Sequence, residues 1–223
     1  MDIINRIYAN LIAGGAWLTI AHGLWATVKI SVLSILLGTL LGALVCAMRT
    51  SSFKPLNWFA RFYIAVLRGS PVLMLLMLLY YVVFAKSSLD AESIAVVTFS
   101  LNTAAYVAEL MRSALSATDH GQVEAARTLG FSKFEAFRLI TLPQAAHIAK
   151  PVYQSTIVNL VQWTSVVGYV TITDLTRVIN NIAARTMQPF FMIVTGMLLY
   201  LALSYCVYTL FTISNRRERG VEK

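Results

Sequence analysis

Long apolar runs separated by short polar segments dominate the 223-residue sequence. An α-helix needs about 20 apolar residues to cross the ~30 Å hydrocarbon layer of a membrane. The pattern predicts an all-α polytopic membrane protein with one transmembrane domain, 1–223. The five predicted spans lie at approximately 24–48, 57–85, 93–117, 152–170 and 189–213. An interfacial lead, 1–22, precedes the spans, and a polar tail, 214–223, follows them.

The longest polar segment, 119–150, lies between the third and fourth predicted spans and carries two helix-start signals. Asp119 and Gln122 have the spacing of a capping box, in which each side chain satisfies a backbone donor of the first helical turn. Ser132 and Glu135 repeat that spacing. The segment is therefore expected to form two short helices.

Gly130 lies between these two helix starts, at the position where a helix commonly ends in a left-handed residue. Pro143 is expected to disrupt or end the second helix, since proline lacks the backbone donor. Two short amphipathic helices joined at a glycine are typical of a docking element for a protein outside the bilayer.

The second predicted span is interrupted at Arg68-Gly69-Ser70-Pro71. Ser70 is expected to act as the N-cap and Pro71 to occupy the first position of a restarted helix, where proline is tolerated.

Composition and charge agree with a membrane protein. The chain is 58% hydrophobic, with a mean hydropathy of +0.69. Its net charge of +8 suggests a nucleic-acid surface, but the basic residues lie in loops between apolar runs, where they set membrane orientation. A nucleic-acid partner is therefore not expected. Cys46 and Cys206 fall inside apolar runs and are expected to be free thiols, and the histidines show no ligand spacing, so no metal is predicted.

The distribution of cations predicts the orientation. One side of a five-span protein collects Arg49, Lys54, Arg112, Arg127, Lys133, Arg138, Lys150, Arg216, Arg217, Arg219 and Lys223. The other side has Arg6, Lys86, Arg177 and Arg185, mixed with acidic residues. The positive-inside rule then places the N-terminus outside, and the segment 119–150 and the C-terminus in the cytoplasm.

The sequence lacks the motifs of the common hydrolases and nucleotide-binding enzymes. No G-x-x-x-x-G-K-[ST], H-E-x-x-H or G-x-S-x-G occurs. We therefore expect no catalytic residue and no cofactor in this chain, and any ATP hydrolysis would belong to a partner.

Glu109 is the only acidic residue inside a predicted apolar span. Such a carboxylate is costly unless it is paired, protonated or in a wet cavity. A transport role and an ion pair with Arg112 that fixes helix packing are comparable alternatives. Asn102 and Tyr106 share its helix face and favour a polar cavity. The candidates for lining a substrate path are Asn102, Tyr106, Glu109, Gln162, Thr164 and Ser165, although helix-to-helix hydrogen bonding explains the amides of the fourth span equally well.

The run Glu124-Ala125-Ala126, followed by Gly130 and by Ile140-Thr141-Leu142-Pro143, resembles the EAA loop of bacterial ABC importer permeases. Further segments resemble the polar amino acid subfamily, which includes histidine, arginine, glutamine and glutamate permeases. These segments are Gly23 to Ser31, Leu67-Arg68-Gly69-Ser70-Pro71, Ser100-Leu101-Asn102 with Ala105 to Glu109, and Gln188-Pro189-Phe190.

The resemblance implies a type I importer fold in the bacterial cytoplasmic (inner) membrane. It implies a dimer of ATPases that binds ATP and Mg²⁺, a second permease subunit, and an extracytoplasmic amino-acid-binding protein, with membrane lipid around the spans. The expected ATPase-coupling residues are Glu124, Ala125, Ala126, Gly130, Phe131, Phe134, Phe137, Leu142 and Pro143. The expected binding-protein face includes Asp174, Arg177 and Arg185.

The sequence departs from the subfamily pattern in the fourth span. Gln162-Trp163-Thr164-Ser165 replaces the usual K-D-T-S, which favours a heterodimer with a less divergent permease. Two other hypotheses stay open at this point: a stand-alone secondary transporter or channel, and a membrane scaffold without a conduit. The first would need ion coupling and paired interrupted helices, and the second would make Glu109 and Asn102 dispensable.

Overall fold

The computed structural model describes residues 11–12 and 15–221, with side chains to residue 213. Parts of the predicted lead, 1–10 and 13–14, and the last residues of the tail, 222–223, lie outside this description. The helices are α1 (Ala16–Thr50), α2 (Lys54–Gly69), α3 (Val72–Leu78), α4 (Ala91–Ser116), α5 (His120–Thr128), α6 (Lys133–Ala136), α7 (Leu142–Trp163), α8 (Leu175–Thr186) and α9 (Pro189–Val221). Two π-helical turns, Leu79–Val83 and Phe137–Thr141, and a 3₁₀ helix, Thr164–Val170, extend α3, α6 and α7.

Three helices of the described chain are long and apolar enough to cross a membrane: α1, α4 and the Pro189–Ile213 part of α9. The bent pair α2–α3 adds a fourth if it forms one span. The fourth predicted span, 152–170, corresponds to the second half of α7 and the 3₁₀ helix after it. The multi-pass helical class is thus confirmed, and the count of five stays a prediction.

Helix α1 begins at Ala16, eight residues before the predicted start of the first span at 24. Its 35 residues correspond to about 52 Å at 1.5 Å per residue, more than the hydrocarbon layer requires. Helix α9 likewise continues past 213 to Val221. Hydropathy locates the apolar part of a helix, whereas the helix itself continues until a capping or breaking residue stops it.

The break in the second span lies where the sequence places it, with its helix start shifted by one residue. Ser70 and Pro71 are both extended, with φ and ψ of −99° and 139° and of −60° and 129°. Pro71 is therefore the N-cap of α3, and the expectation that Ser70 takes that position is wrong. The Ser70 hydroxyl instead donates to the Val66 carbonyl oxygen at 2.8 Å, because it can satisfy an orphan acceptor at the end of α2.

The chain divides into two compact units. The first unit is Met1–Ile35, Pro71–Phe99 and Ile157–Lys223, and the second is Leu36–Ser70 and Ser100–Thr156. In the first unit, one core cluster includes Ile30, Leu76 and Phe99, and a second joins α8 to α9 through Val178 and Met192, all nearly fully buried.

In the second unit, α1 and α4 approach closely at two glycines four residues apart. A Cβ atom added to Gly38 would lie 2.8 Å from Thr103 Cβ, and one added to Gly42 would lie 2.7 Å from Val107 Cβ. Small residues spaced in this way let membrane helices pack backbone to backbone. This contact holds the part of α4 that carries the candidate path residues Asn102, Tyr106 and Glu109.

Candidate coupling loop and transport path

Asp119 is the N-cap of α5, the first helix of the polar segment, as predicted. The Asp119 carboxylate accepts from the Gly121 backbone N–H at 2.9 Å. The second half of the predicted capping box is wrong, because Gln144 takes the place of Gln122. The backbone N–H of Asp119 donates to Gln144 Oε1 at 3.2 Å, and Gln144 Nε2 donates to Gln122 Oε1 at 2.6 Å. This amide network links the start of α5 to α7.

The turn between α5 and α6 has the predicted geometry. Gly130 has a φ of +92°, and the Phe131 N–H donates to the Ala126 carbonyl at 3.2 Å, which closes the end of α5. The Ser132 and Glu135 capping box is complete in both directions, at 3.2 and 2.7 Å. Hydrogen bonds from the Ser132 backbone and side chain lower the pKa of the Glu135 carboxyl, because they stabilise its ionised form.

Of the two outcomes predicted for Pro143, the structure has a disruption of the second helix and not its end. The π-helical turn Phe137–Thr141 precedes it, and α7 then runs through Pro143 to Trp163. Proline is tolerated in the first turn of a helix, where its missing donor would have no intrahelical acceptor. The disruption is therefore a local change from α- to π-helical hydrogen bonding, and the helical backbone continues from α6 into α7.

The polar segment 119–150, which we call the coupling loop, exposes apolar side chains although it is the longest polar segment of the sequence. Leu129 is 80% exposed and Phe134 is 70% exposed, while Ala126 and Ala136 are buried. The other predicted coupling residues, all exposed, are Glu124, Ala125, Gly130, Phe131, Phe137, Leu142 and Pro143. An exposed apolar patch of this kind marks an interaction surface. Leu129 was not predicted as a contact residue, although its place next to Gly130 at the end of α5 is visible in the sequence.

Asn102 is one of four residues of the second unit with a buried side-chain polar atom that has no hydrogen-bond partner among the described residues; the others are Ser100, Thr103 and Gln154. Asn102 is 2% exposed, and its Nδ2 donates to the Leu67 carbonyl at 2.9 Å, close to the end of α2. Its Oδ1 is buried and has no hydrogen-bond partner among the described residues. An unsatisfied buried acceptor costs about 1–3 kcal/mol, so it requires an explanation, and a ligand that donates to Oδ1 supplies one.

Tyr106, one turn further along α4, lies beneath a cation. The Arg68 guanidinium is 5.1 Å from the centre of the Tyr106 ring, which is cation–π geometry. Arg68 is the residue after Leu67, whose carbonyl accepts the hydrogen bond from Asn102. The positive charge of Arg68 and the buried amide of Asn102 therefore lie in the same part of the second unit. Arg68 was not among the predicted path residues, although it belongs to the interruption that the sequence shows.

Glu109 is paired in the structure with the partner that the sequence offers. Arg112 Nη2 lies 2.5 Å from Glu109 Oε1, and Nε lies 3.0 Å from the same oxygen. Both side chains are partly exposed, at 25% for Glu109 and 30% for Arg112. The ion pair supplies a structural explanation for this carboxylate, while its role in transport stays a prediction.

In the first unit, Gln162 and Ser165 line a cavity of about 600 Å³ between the end of α7, α8 and α9. Four polar residues that were not predicted as site residues, Thr176, Asn180, Tyr200 and Ser204, line it as well. Thr164 lies outside it, because this residue is fully buried and its hydroxyl donates to the Val161 carbonyl at 2.6 Å. Thr164 is the first residue of the 3₁₀ helix, and its hydroxyl binds the preceding turn of α7.

The predicted binding-protein residues differ in exposure. The Asp174 side chain is fully buried, caps α8 by accepting from the Thr176 and Arg177 N–H groups, and has its pKa raised by burial. It cannot itself contact a partner in this conformation, and that part of the prediction is corrected. Arg177 is partly buried and donates to the Gly168 carbonyl at 3.2 Å, and Arg185 is exposed. Contact with a binding protein stays a prediction for these two arginines.

Comparison with known proteins agrees with this arrangement. Residues 14–220 match the family described as the binding-protein-dependent transport system inner membrane component. The chain is 34% identical over 185 residues to the probable amino-acid ABC transporter permease protein YckA of Bacillus subtilis, covering 82% of each protein. It is 30% identical over 233 residues to HisM of Salmonella typhimurium, a histidine/lysine/arginine/ornithine transport system permease protein, covering 97% of this chain and 96% of HisM.

Two solved structures are similar over nearly the whole chain. A crystal structure of an amino acid ABC transporter with histidines contains a chain that is 29% identical, with a TM-score of 0.84, covering 97% of this chain and 99% of that one. An inward-facing structure of the MetNI methionine ABC transporter has a TM-score of 0.75 at 19% identity, covering 92% and 99%, and supports the fold alone. The chain therefore belongs to the family of binding-protein-dependent transport system inner membrane components, which are multi-pass permease subunits of ABC transporters and not themselves enzymes.

Proposed function

We propose that the chain is the permease subunit of an ATP-driven, binding-protein-dependent importer of a polar amino acid. The exposed apolar surface of the coupling loop, around Leu129 and Phe134, carries this proposal, because the chain has no nucleotide motif and needs an ATPase to drive it. ATP and Mg²⁺ would bind to that partner. The names of YckA and HisM support an amino acid as the substrate.

Coupling would occur through differential contacts of the loop with the ATPase dimer. A ligand shifts a conformational equilibrium only by its difference in affinity for the two states, so ATP must change the contacts of this loop. Phe131, Phe134 and Phe137 would supply the apolar contact, and Gly130 would set the angle between α5 and α6. The Gln144 network would pass the movement of α5 to α7.

The substrate would be held by complementary charges in the second unit. The unpartnered Oδ1 of Asn102 is an acceptor suited to the α-ammonium group of an amino acid. The Arg68 guanidinium is suited to the α-carboxylate, since it forms bidentate pairs with carboxylates. Gln162 and Ser165 line the cavity of the first unit and are proposed as path residues within that unit.

We further propose the type I arrangement of five spans, with the N-terminus outside and the C-terminus and the coupling loop in the cytoplasm. The scarcity of cations on the other side supports this orientation. A heterodimer with a second permease is proposed because Gln162-Trp163 replaces the usual charged pair. Arg177 and Arg185 would face the amino-acid-binding protein.

The orientation predicts the accessibility of two exposed lysines. Lys133→Cys should react with a membrane-impermeant maleimide only after the membrane is opened, and Lys86→Cys should react in intact cells. Both are placed in a background without Cys46 and Cys206, and a native-cysteine control measures any remaining label. The reverse labelling pattern would overturn the topology.

Substitutions in the Glu109–Arg112 pair can distinguish a role of Glu109 in transport from a role in assembly. We expect Glu109→Gln to lower uptake more than it lowers the amount of assembled complex, because the neutral side chain keeps its shape and loses its charge. The exchange Glu109→Arg with Arg112→Glu restores an ion pair and is the matched control. If the exchange restores full uptake, the pair only supports packing, and the transport role of Glu109 is wrong.

The function is tested by purifying the chain with its associated subunits in lipid nanodiscs. Candidate amino acids are added with their binding proteins, and ATP hydrolysis is measured. We expect a polar amino acid to stimulate hydrolysis severalfold, with loss of stimulation when the binding protein is omitted. Ion-driven uptake without any ATPase would instead support the secondary transporter.

A further inference from the structure

A second polar site lies in the turn between α1 and α2, and it is formed by residues other than those of the coupling loop and the Asn102 region. Its cavity of about 390 Å³ is lined by Ser51, Ser52, Lys54, Asn57, Trp58 and Arg61. Neither Lys54 nor Arg61 forms an ion pair anywhere in the described part of the chain. Two uncompensated cations and two serine hydroxyls around one cavity indicate an anionic ligand.

Asn57 forms hydrogen bonds with a second arginine, Arg49, as well as with Arg61. Its Oδ1 accepts from Arg61 Nε at 2.7 Å and from Arg49 Nη1 at 3.4 Å, and its Nδ2 donates to the Arg49 carbonyl. One neutral amide therefore holds two guanidinium groups close together. Like charges held close repel each other, and an anion next to them removes that cost. The Nη groups of Arg61 have no acceptor among the described residues and remain available to such an anion.

The position of the cavity favours a lipid headgroup. The apolar run of α1 ends at Arg49, so the cavity begins where the hydrocarbon region of this span ends. Trp58 stacks on Phe62 with the ring centres 5.9 Å apart, and these side chains are 68% and 57% exposed. Tryptophan is enriched at the headgroup level of membranes, where its ring contacts both apolar and polar groups.

Helix α2 has one buried face and one exposed aromatic face, as expected of a helix at a membrane surface. Ala60, Ile64 and Leu67 are buried, whereas Trp58 and Phe62 on the other face are exposed. An exposed aromatic face next to a basic cavity can receive acyl chains and headgroup of the same lipid. Basic pockets beside membrane helices bind anionic headgroups by this combination of charge and apolar contact.

We propose that this cavity binds the phosphate headgroup of an anionic phospholipid, with Arg61 and Lys54 as the phosphate ligands, Ser51 and Ser52 as hydroxyl donors, and Trp58 against the glycerol region. The site requires only that α1 ends at a membrane surface, so it does not depend on the orientation or on the transported substrate. The bound lipid would fix the turn between α1 and α2.

The test measures which lipid lies next to Trp58 in the intact reconstituted chain. Brominated phosphatidylglycerol and brominated phosphatidylcholine quench tryptophan fluorescence from nearby acyl chains, and subtraction of the Trp58→Phe variant isolates the Trp58 signal. Each Lys or Arg near the membrane surface favours an anionic lipid by about fivefold. We expect phosphatidylglycerol to be preferred over phosphatidylcholine by about tenfold or more.

Variants separate the cavity from the general charge of the protein. The pair Lys54→Gln and Arg61→Gln should reduce the preference to about one, Arg61→Lys should keep most of it, and Lys86→Gln, an exposed cation elsewhere, should leave it unchanged. Equal quenching by the two lipids in the unmodified chain, or an unchanged preference in the double variant, would overturn the proposal. Loss of the preference in millimolar inorganic phosphate would identify free phosphate as the ligand and would also overturn it.

Discussion

Replacing Gly130 with aspartate should abolish uptake while leaving the permease inserted in the membrane. Gly130 has a φ of +92°, and a side chain there costs about 1–3 kcal/mol. No atom lies within 4 Å of the position of an added Cβ, so the cost arises from backbone strain rather than from a clash. The turn between α5 and α6 would change its angle, and the surface formed by Leu129 and Phe134 would no longer match the ATPase.

Three measurements separate the possible origins of that loss. The amount of permease in the membrane should stay near the level of the unmodified chain, copurification of the ATPase should fall at least tenfold, and uptake should fall to background. Gly130→Asn is the matched control, because asparagine tolerates positive φ better than other non-glycine residues and adds no charge. Gly130→Val should behave like Gly130→Asp if backbone conformation is decisive. Full uptake by Gly130→Asp would contradict the coupling role of the turn.

The sequence predicted local structure best where one residue type is required by backbone geometry. Gly130, Ser132 and Glu135 have the conformation and contacts expected of them, because left-handed backbone and capping boxes depend on neighbours within about five residues. The π turn before Pro143 was missed, since its geometry depends on how α6 continues into α7. Gln144 replaced Gln122 as the partner of Asp119 for the same reason, because this contact spans 25 residues.

Site residues were predicted by type more reliably than by environment. Asn102, Gln162 and Ser165 do lie beside polar groups, while the side chain of Asp174, which was assigned to a partner-facing surface, is fully buried. The sequence shows that a residue is polar, but it does not show whether a neighbouring element covers the side chain. Tyr200 was missed because one tyrosine in an apolar run gives no signal, and its contact with Thr176 at 2.9 Å appears only when α8 packs on α9.

Asn102→Leu should lower the efficiency of transport by roughly 10- to 150-fold, the equivalent of about 1.5–3 kcal/mol for a hydrogen bond to a charged group. Leucine fills a similar volume but removes both the donor to the Leu67 carbonyl and the unpartnered Oδ1. The substrate ammonium would lose its acceptor. The end of α2, which carries Arg68, would lose its hydrogen bond to α4. Uptake is measured at several substrate concentrations, with the amount of assembled complex determined in the same membranes.

Thr103→Val is the matched control for that variant. Thr103 is the next residue in α4, is fully buried, and has a hydroxyl without a partner among the described residues. Valine keeps its shape against Gly38 and removes the hydroxyl, so transport should stay within about twofold if only Asn102 faces the substrate. Full uptake by Asn102→Leu would refute the binding role. An equal loss in both variants would show that α4 tolerates no change of polarity, and the buried Oδ1 of Asn102 would then belong to helix packing rather than to recognition.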